Sequence, residues 1–300
     1  LQAYGCGLCM ACDHWLPGWL HCACLRGGCR VGRMPVDPET VPVIVGAARY
    51  TQPRGTAPDK ALSPVGLMTH VAQLAEADCG VPGLLSELEA VACVESATRA
   101  RCRLPFPQGL GTELYDNMPR SLADAVGASP QDAGCLLTYD GGNSAQMLIN
   151  AMADRISTRG FSSCLLAGCE DLASVMAALK AGKAAADELA GRWADSRRTR
   201  ESGTAPPVRV GPRYIETSLE QLHGLHVPVR VYPMLENALR AATDGRSVSE
   251  HMQQQATMFA GFSRVAASDP KHAWFPTEHT AQAIADPKST GNRWVGYPYT

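Results

Sequence analysis

The 300 residues predict an α/β fold on a mostly parallel sheet, and three observations carry that expectation. From Val41 onward, short apolar and β-branched runs alternate with longer segments of helical period, in the order β-α-β-α-β-α. The short runs are continuously apolar rather than alternating, as in strands covered on both faces. Glycines, prolines and capping residues fall at the ends of these segments.

Taken in order, Val41–Tyr50 (VPVIVGAARY) reads as a buried-type strand ended by a glycine turn. A helix follows, with Ser63 as N-cap, Pro64 at the first helical position and Gly80 as the stop. Residues 88–97 (LEAVACVESA) give a second strand, and 118–130 (MPRSLADAVGASP) a short helix closed by Gly127 and Pro130. The strand AGCLLTYD feeds a glycine turn that opens into a helix from about Asn143 to Thr158. FSSCLLAGCED forms another strand, and 172–190 (LASVMAALKAGKAAADELA) another helix. After Leu189 the composition turns to Arg, Gly, Pro and Ser, marking a second, more irregular region. Helical patterns return there in YPMLENALRAATDGRS and EHMQQQATMFAGFSRVAASDP. No internal repeat is visible.

A net charge of −2 provides no field to draw the chain to nucleic acid or an anionic membrane. With 45% hydrophobic and 19% charged residues, a well-buried globular chain is expected. No apolar stretch is long enough for a membrane span. Six of the twelve cysteines fall in the first thirty residues and include a C-x-x-C-x-x-C run. That run invites a metal reading, but its flanks lack finger spacing, and no metal is expected. Residues 1–33 read instead as an unstructured or non-native leader before Met34; the alternative of a transit peptide is opposed by Asp13 and sparse serines. The other six cysteines sit mostly in apolar runs, as buried free thiols of an intracellular protein do. Cytoplasm or mitochondrion is the expected compartment, with the peroxisome left open.

The stretch YDGGNSAQMLINAMADRISTRG, Tyr139–Gly160, has the form of a site: a tight turn at a helix start, where unpaired N–H groups and a positive dipole end meet an anion or a developing oxyanion. Together with CLLAGCEDLASVM it resembles the thiolase superfamily, in which a strand, a tight turn with the catalytic cysteine and a helix precede a strand ending in glycine and a glutamate. Gly168 and Glu170 match that glycine and glutamate, and VPVIVGAARYTQPRG resembles the superfamily's first strand and arginine turn. The resemblance covers Val41 to Thr300. It implies a layered fold with a mixed five-stranded sheet, an N-terminal α/β domain over 34–190, a loop domain that binds coenzyme A over 191–285, and a return into the core over 286–300. The superfamily's C-terminal half, with its histidine and second cysteine, is expected to lie outside this sequence.

In that register the nucleophile position is Gly142, which has no atom to accept an acyl group. Ser144, two residues on, is a weak substitute and reads better as a helix cap. Gly142 and Asn143 would then hold a thioester oxygen through the helix start. The resemblance places coenzyme A phosphates near Arg192, Arg197 and Arg198, with Arg200, Arg209 and Arg213 in the same region, and the adenine near Trp193. Arginine suits that role through its planar two-donor fork. His223 and His226 share a helical face but lack further ligands for a metal. His251 and a buried Asn237 read as structural, and Cys135, Cys164 and Cys169 as core residues. Two functions follow: an acyltransferase of thiolase type acting on acyl-CoA in fatty acid metabolism, or a non-catalytic CoA or acyl-CoA binding protein. Coenzyme A is substrate or ligand in either case, no resident cofactor is expected, and a homo-oligomer is compatible with both.

Overall fold

In the computed structural model, residues 40–53, 55–95, 115–139, 142–195, 205–211, 217–225, 228–242, 245–273 and 275–286 are described. The leader, and all but Asp286 of the segment 286–300 expected to return to the core, lie outside them. Four strands form one sheet: β1 (Ala90–Val94), β2 (Cys135–Thr138), β3 (Cys164–Gly168) and β4 (Val208–Val210). Their order is β3-β1-β2-β4, and every pair is parallel. Val91 sits opposite Cys135 on one side and Leu165 on the other, and Leu137 lies opposite Arg209.

Helices α1 (Pro64–Cys79), α2 (Met118–Val126), α4 (Leu172–Ala181) and α5 (Lys183–Asp195) cover one face. Met68, Met118, Leu122, Val175, Leu189 and Trp193 pack there on Val91, Cys93 and Leu137. Helix α3 (Ser144–Ser157) covers the other face, with Leu148 and Met152 against Ala90, Ala92 and Leu136. Each crossover that reverses direction along the sheet also changes face, so the three share one hand.

The local signals place the helices well. Ser63 accepts the Gly66 amide at 3.1 Å, Pro64 opens α1, and Gly80 closes it at φ +73°. Asn117 caps α2 by accepting from Arg120, and Gly127 ends it at φ +82°.

Four expectations are corrected. Residues 41–50 form no strand, and Val43, Ile44 and Val45 are largely exposed. β-branched residues favour a strand only when a partner strand takes up their backbone groups. Here the segment instead runs beside α1, with the Ala47 amide donating to Asp78 at 2.9 Å. Consequently the sheet has four parallel strands among the described residues rather than five mixed ones. The helix expected over 172–190 is two, α4 and α5, broken at Gly182 with φ +109°. Finally, the expected boundary at 191 falls inside α5, and the chain beyond it rejoins the sheet as β4.

Beyond β4 the described chain is mostly helical: α6 (Ser218–Leu222), α7 (Pro228–Ala242), α8 (Val248–Ser268) and α9 (Ala281–Ala285). Ala256 and Ala260 of α8 pack on Ile284 of α9. Helix α7 meets α8 through polar groups: Glu236 contacts His251 at 2.6 Å and Gln255 at 3.2 Å. Its apolar residues Tyr232, Leu235 and Leu239 stay exposed. Among the described residues none of these helices packs closely on the sheet or on the helices covering it.

Candidate functional site at the carboxyl ends of the strands

With all strands parallel, their carboxyl ends gather on one side, where open α/β sheets bind ligands. Two features lie there: the turn before α3, and a cavity at the end of β3.

At the turn, Gly142 is exposed, and a side chain built on it would meet nothing within 4 Å. Asn143 makes no side-chain cap, so the first-turn amides of Ser144, Ala145 and Gln146 have no acceptor among the described residues. Ser144 is not the expected cap: it is the first residue of α3, and no side chain caps that helix. It is buried, and its hydroxyl donates back to the Tyr139 carbonyl at 2.7 Å, tying the turn to β2.

Beside the turn sits an ion pair the sequence did not single out. Glu95, just past β1 and 8% exposed, accepts from both terminal nitrogens of Arg209 on β4 at 2.9 and 3.3 Å. The same guanidinium donates to the Thr138 carbonyl at 3.0 Å and lies 4.7 Å from the centre of the Tyr139 ring. Arg209 is therefore spent on holding three strand ends together and is not a free phosphate ligand. The Thr138 hydroxyl, on the face packed by α3, is buried with no hydrogen-bond partner among the described residues.

The cavity encloses about 330 Å3. Gly168, Cys169 and Glu170 form its floor, Leu67 of α1 and Ser174 of α4 its walls, and Tyr50 to Pro53 part of its rim. Gln52 fixes that rim by donating to Ser174 at 3.0 Å and accepting the Leu62 amide at 2.9 Å. Burial raises the thiol pKa of Cys135 and Cys164, and burial with the nearby Asp171 carboxylate raises that of Cys169 further. None is a ready thiolate; Cys135 is the core residue expected, whereas Cys164 and Cys169 are half-buried against the core.

Other expected residues are placed differently. Trp193 is 1% exposed and its indole donates to the Ala61 carbonyl, so no ring face is open to an adenine. Arg192 donates to the Pro58 and Ala61 carbonyls and anchors α5 to the chain before α1. Arg197, Arg198, Arg200, Arg213 and His226 lie outside the described residues. Asn237 is exposed rather than buried, whereas His251 is nearly buried against Glu236, a structural setting. Among the described residues no cluster has the ligands for a metal ion, and no helix is long and apolar enough to cross a membrane.

No protein-family profile matches the chain, and no curated protein matches it. Among solved structures it is similar to the crystal structure of a monomeric SCP2-thiolase-like protein type 1 from Mycobacterium smegmatis, with a TM-score of 0.52 at 24% identity. The fold is thiolase-like. The similarity covers 83% of this chain and 40% of the other, so the chain spans well under half the length of that protein. The thiolase-like fold brings the turn at Gly142, the Glu95–Arg209 pair and the β3 cavity to the same end of the sheet.

Proposed function

We propose that this chain binds CoA or acyl-CoA without forming a covalent acyl intermediate. The observation that supports this reading most is the open turn at α3. In the thiolase-like register Gly142 stands at the nucleophile position, and the nearest hydroxyl, Ser144, is buried and engaged with Tyr139. The first-turn amides, which have no acceptor among the described residues, suit a thioester oxygen or carboxylate that is held but not attacked. Arg197 and Arg198 are the proposed phosphate ligands. Trp193 and Arg192 take no part, because their donors serve the core.

A phosphate-anchored ligand of this kind binds with roughly −7 to −8 kcal/mol, a micromolar dissociation constant. Titration calorimetry with CoA measures it directly. Arg197→Ala with Arg198→Ala is expected to weaken binding and flatten its salt dependence; unchanged affinity and salt slope place the phosphates elsewhere. Acetoacetyl-CoA is expected to leave no acyl group on any peptide by mass spectrometry. An adduct on Ser144 or a cysteine overturns the non-covalent reading in favour of acyl transfer.

A further inference from the structure

The turn between α8 and α9 holds a cluster to which no role has yet been assigned. Arg49 pairs with Asp269, and His272 Nδ1 lies 2.9 and 3.1 Å from the two Asp269 oxygens. Two residues from Arg49, the Thr51 hydroxyl donates to the His272 carbonyl at 2.8 Å. The segment from Arg49 to Gln52 is thus held on one side by Asp269 and His272, and on the other by Leu62 and Ser174. Tyr50, Thr51 and Gln52 are also the rim of the β3 cavity. Among the described residues these helices do not pack closely on the sheet, and this polar cluster is one place where the chain after α8 meets the segment before α1. At the other end they leave the sheet from the carboxyl end of β4, at the opposite edge from β3.

We propose that the β3 cavity is gated: Tyr50–Pro53 is its movable wall, and the Arg49–Asp269–His272 cluster is the catch that joins this wall to α7–α9. A displacement of the helices pulls on Thr51 and Arg49, and the wall moves while Gln52 keeps its far end on α4. The catch is not sealed from solvent, with the side chains of Arg49 72%, Asp269 38% and His272 29% exposed, which suits a contact that opens and closes rather than a core anchor. The Asp269 carboxyl is held below its usual pKa, first by the hydrogen bond from His272. The gate is independent of whether CoA binds.

Cys169 on the cavity floor reports the gate. Its thiol donates to the Pro64 carbonyl, and it is only part-buried, whereas Cys93 and Cys135 are sealed in the sheet. Iodoacetamide labelling of the full chain, read at each cysteine by peptide mass spectrometry, follows all three at once. Asp269→Ala and Arg49→Gln are each expected to speed labelling of Cys169 by about two- to fivefold, the range of an exposed ion pair, with Cys93 and Cys135 unchanged. Salt at high concentration should do the same to the native chain and little to either variant. The reversed pair, Arg49→Asp with Asp269→Arg, should return the rate toward the native value. An unchanged Cys169 rate in both single variants overturns the proposal. So does equal acceleration at Cys93 and Cys135, which marks general loosening, or a reversed pair that labels as fast as the single variants.

Discussion

At residue scale, the energetics of the site centre on Glu95 and Arg209. Taking a carboxylate out of water is costly, and the cost is met only while its partner stays in place. Glu95 is 8% exposed and the Arg209 side chain 35%, so the two ends of the pair are unequal. Arg209→Ala removes two charge-assisted hydrogen bonds from a buried carboxylate and is expected to cost about 1–3 kcal/mol by denaturant unfolding. Glu95→Gln leaves an arginine that can reach water, and should cost less than half as much. Thr138 makes the opposite case: its hydroxyl has no partner among the described residues, so Thr138→Val is expected within about 0.5 kcal/mol of native stability or slightly above it. A loss beyond 1 kcal/mol would mean that the hydroxyl has a partner in solution. None of this was legible in the sequence. The turn before α3 could be read from neighbouring residues, whereas Glu95 and Arg209 are brought together only by the sheet. Trp193 was misread for the same reason: an indole in a polar stretch looks available until α5 turns it inward.

At element scale, helix ends are written locally and were read almost residue by residue. Ser63, Pro64 and Gly80 act where expected because a cap needs only the three or four residues that follow it. Ser247 and Glu250 form a reciprocal cap on α8, with Glu250 accepting from the Ser247 amide and hydroxyl. Ser247→Ala should cost about 1 kcal/mol and fray the first turn of α8, seen as faster amide exchange there. Those hydrogen bonds hold the Glu250 carboxyl below its ordinary value of 4.5. Its contribution is therefore complete above pH 4.5 and disappears as the pH falls through the lowered value. The same exchange experiment should show α8 fraying on acidification in the native chain and little further change in Ser247→Ala. Strands are another matter. VPVIV has the composition of a strand but lacks one to pair with among the described residues, and composition does not encode a partner. Gly182 illustrates the remaining ambiguity, since a helix tolerates an internal glycine at about 1 kcal/mol, and only the fold shows that this one carries φ +109°. Gly182→Ala is accordingly expected to destabilise, the reverse of its effect in a continuous helix.

At the scale of the whole molecule, the parallel sheet also sets an order of assembly. No two neighbouring strands are joined by a hairpin; each pairing closes a long stretch of chain that contains at least one helix. Such closures are slow, which leaves strand edges open for longer during folding. The strand order suits a chain that emerges from the ribosome a few residues at a time. Of the four described strands, β1 comes first and lies inside the sheet they form; β2 joins one side of it, β3 the other, and β4 then adds to β2. Every strand after the first finds its partner already synthesised, and none has to wait for a strand still to come. Refolding from denaturant gives no such precedence, because all four strands are free to pair at once. Yields should therefore be higher from translation than from dilution out of urea, and a pulse of amide labelling during synthesis should find β1 and β2 protected before β4 exists.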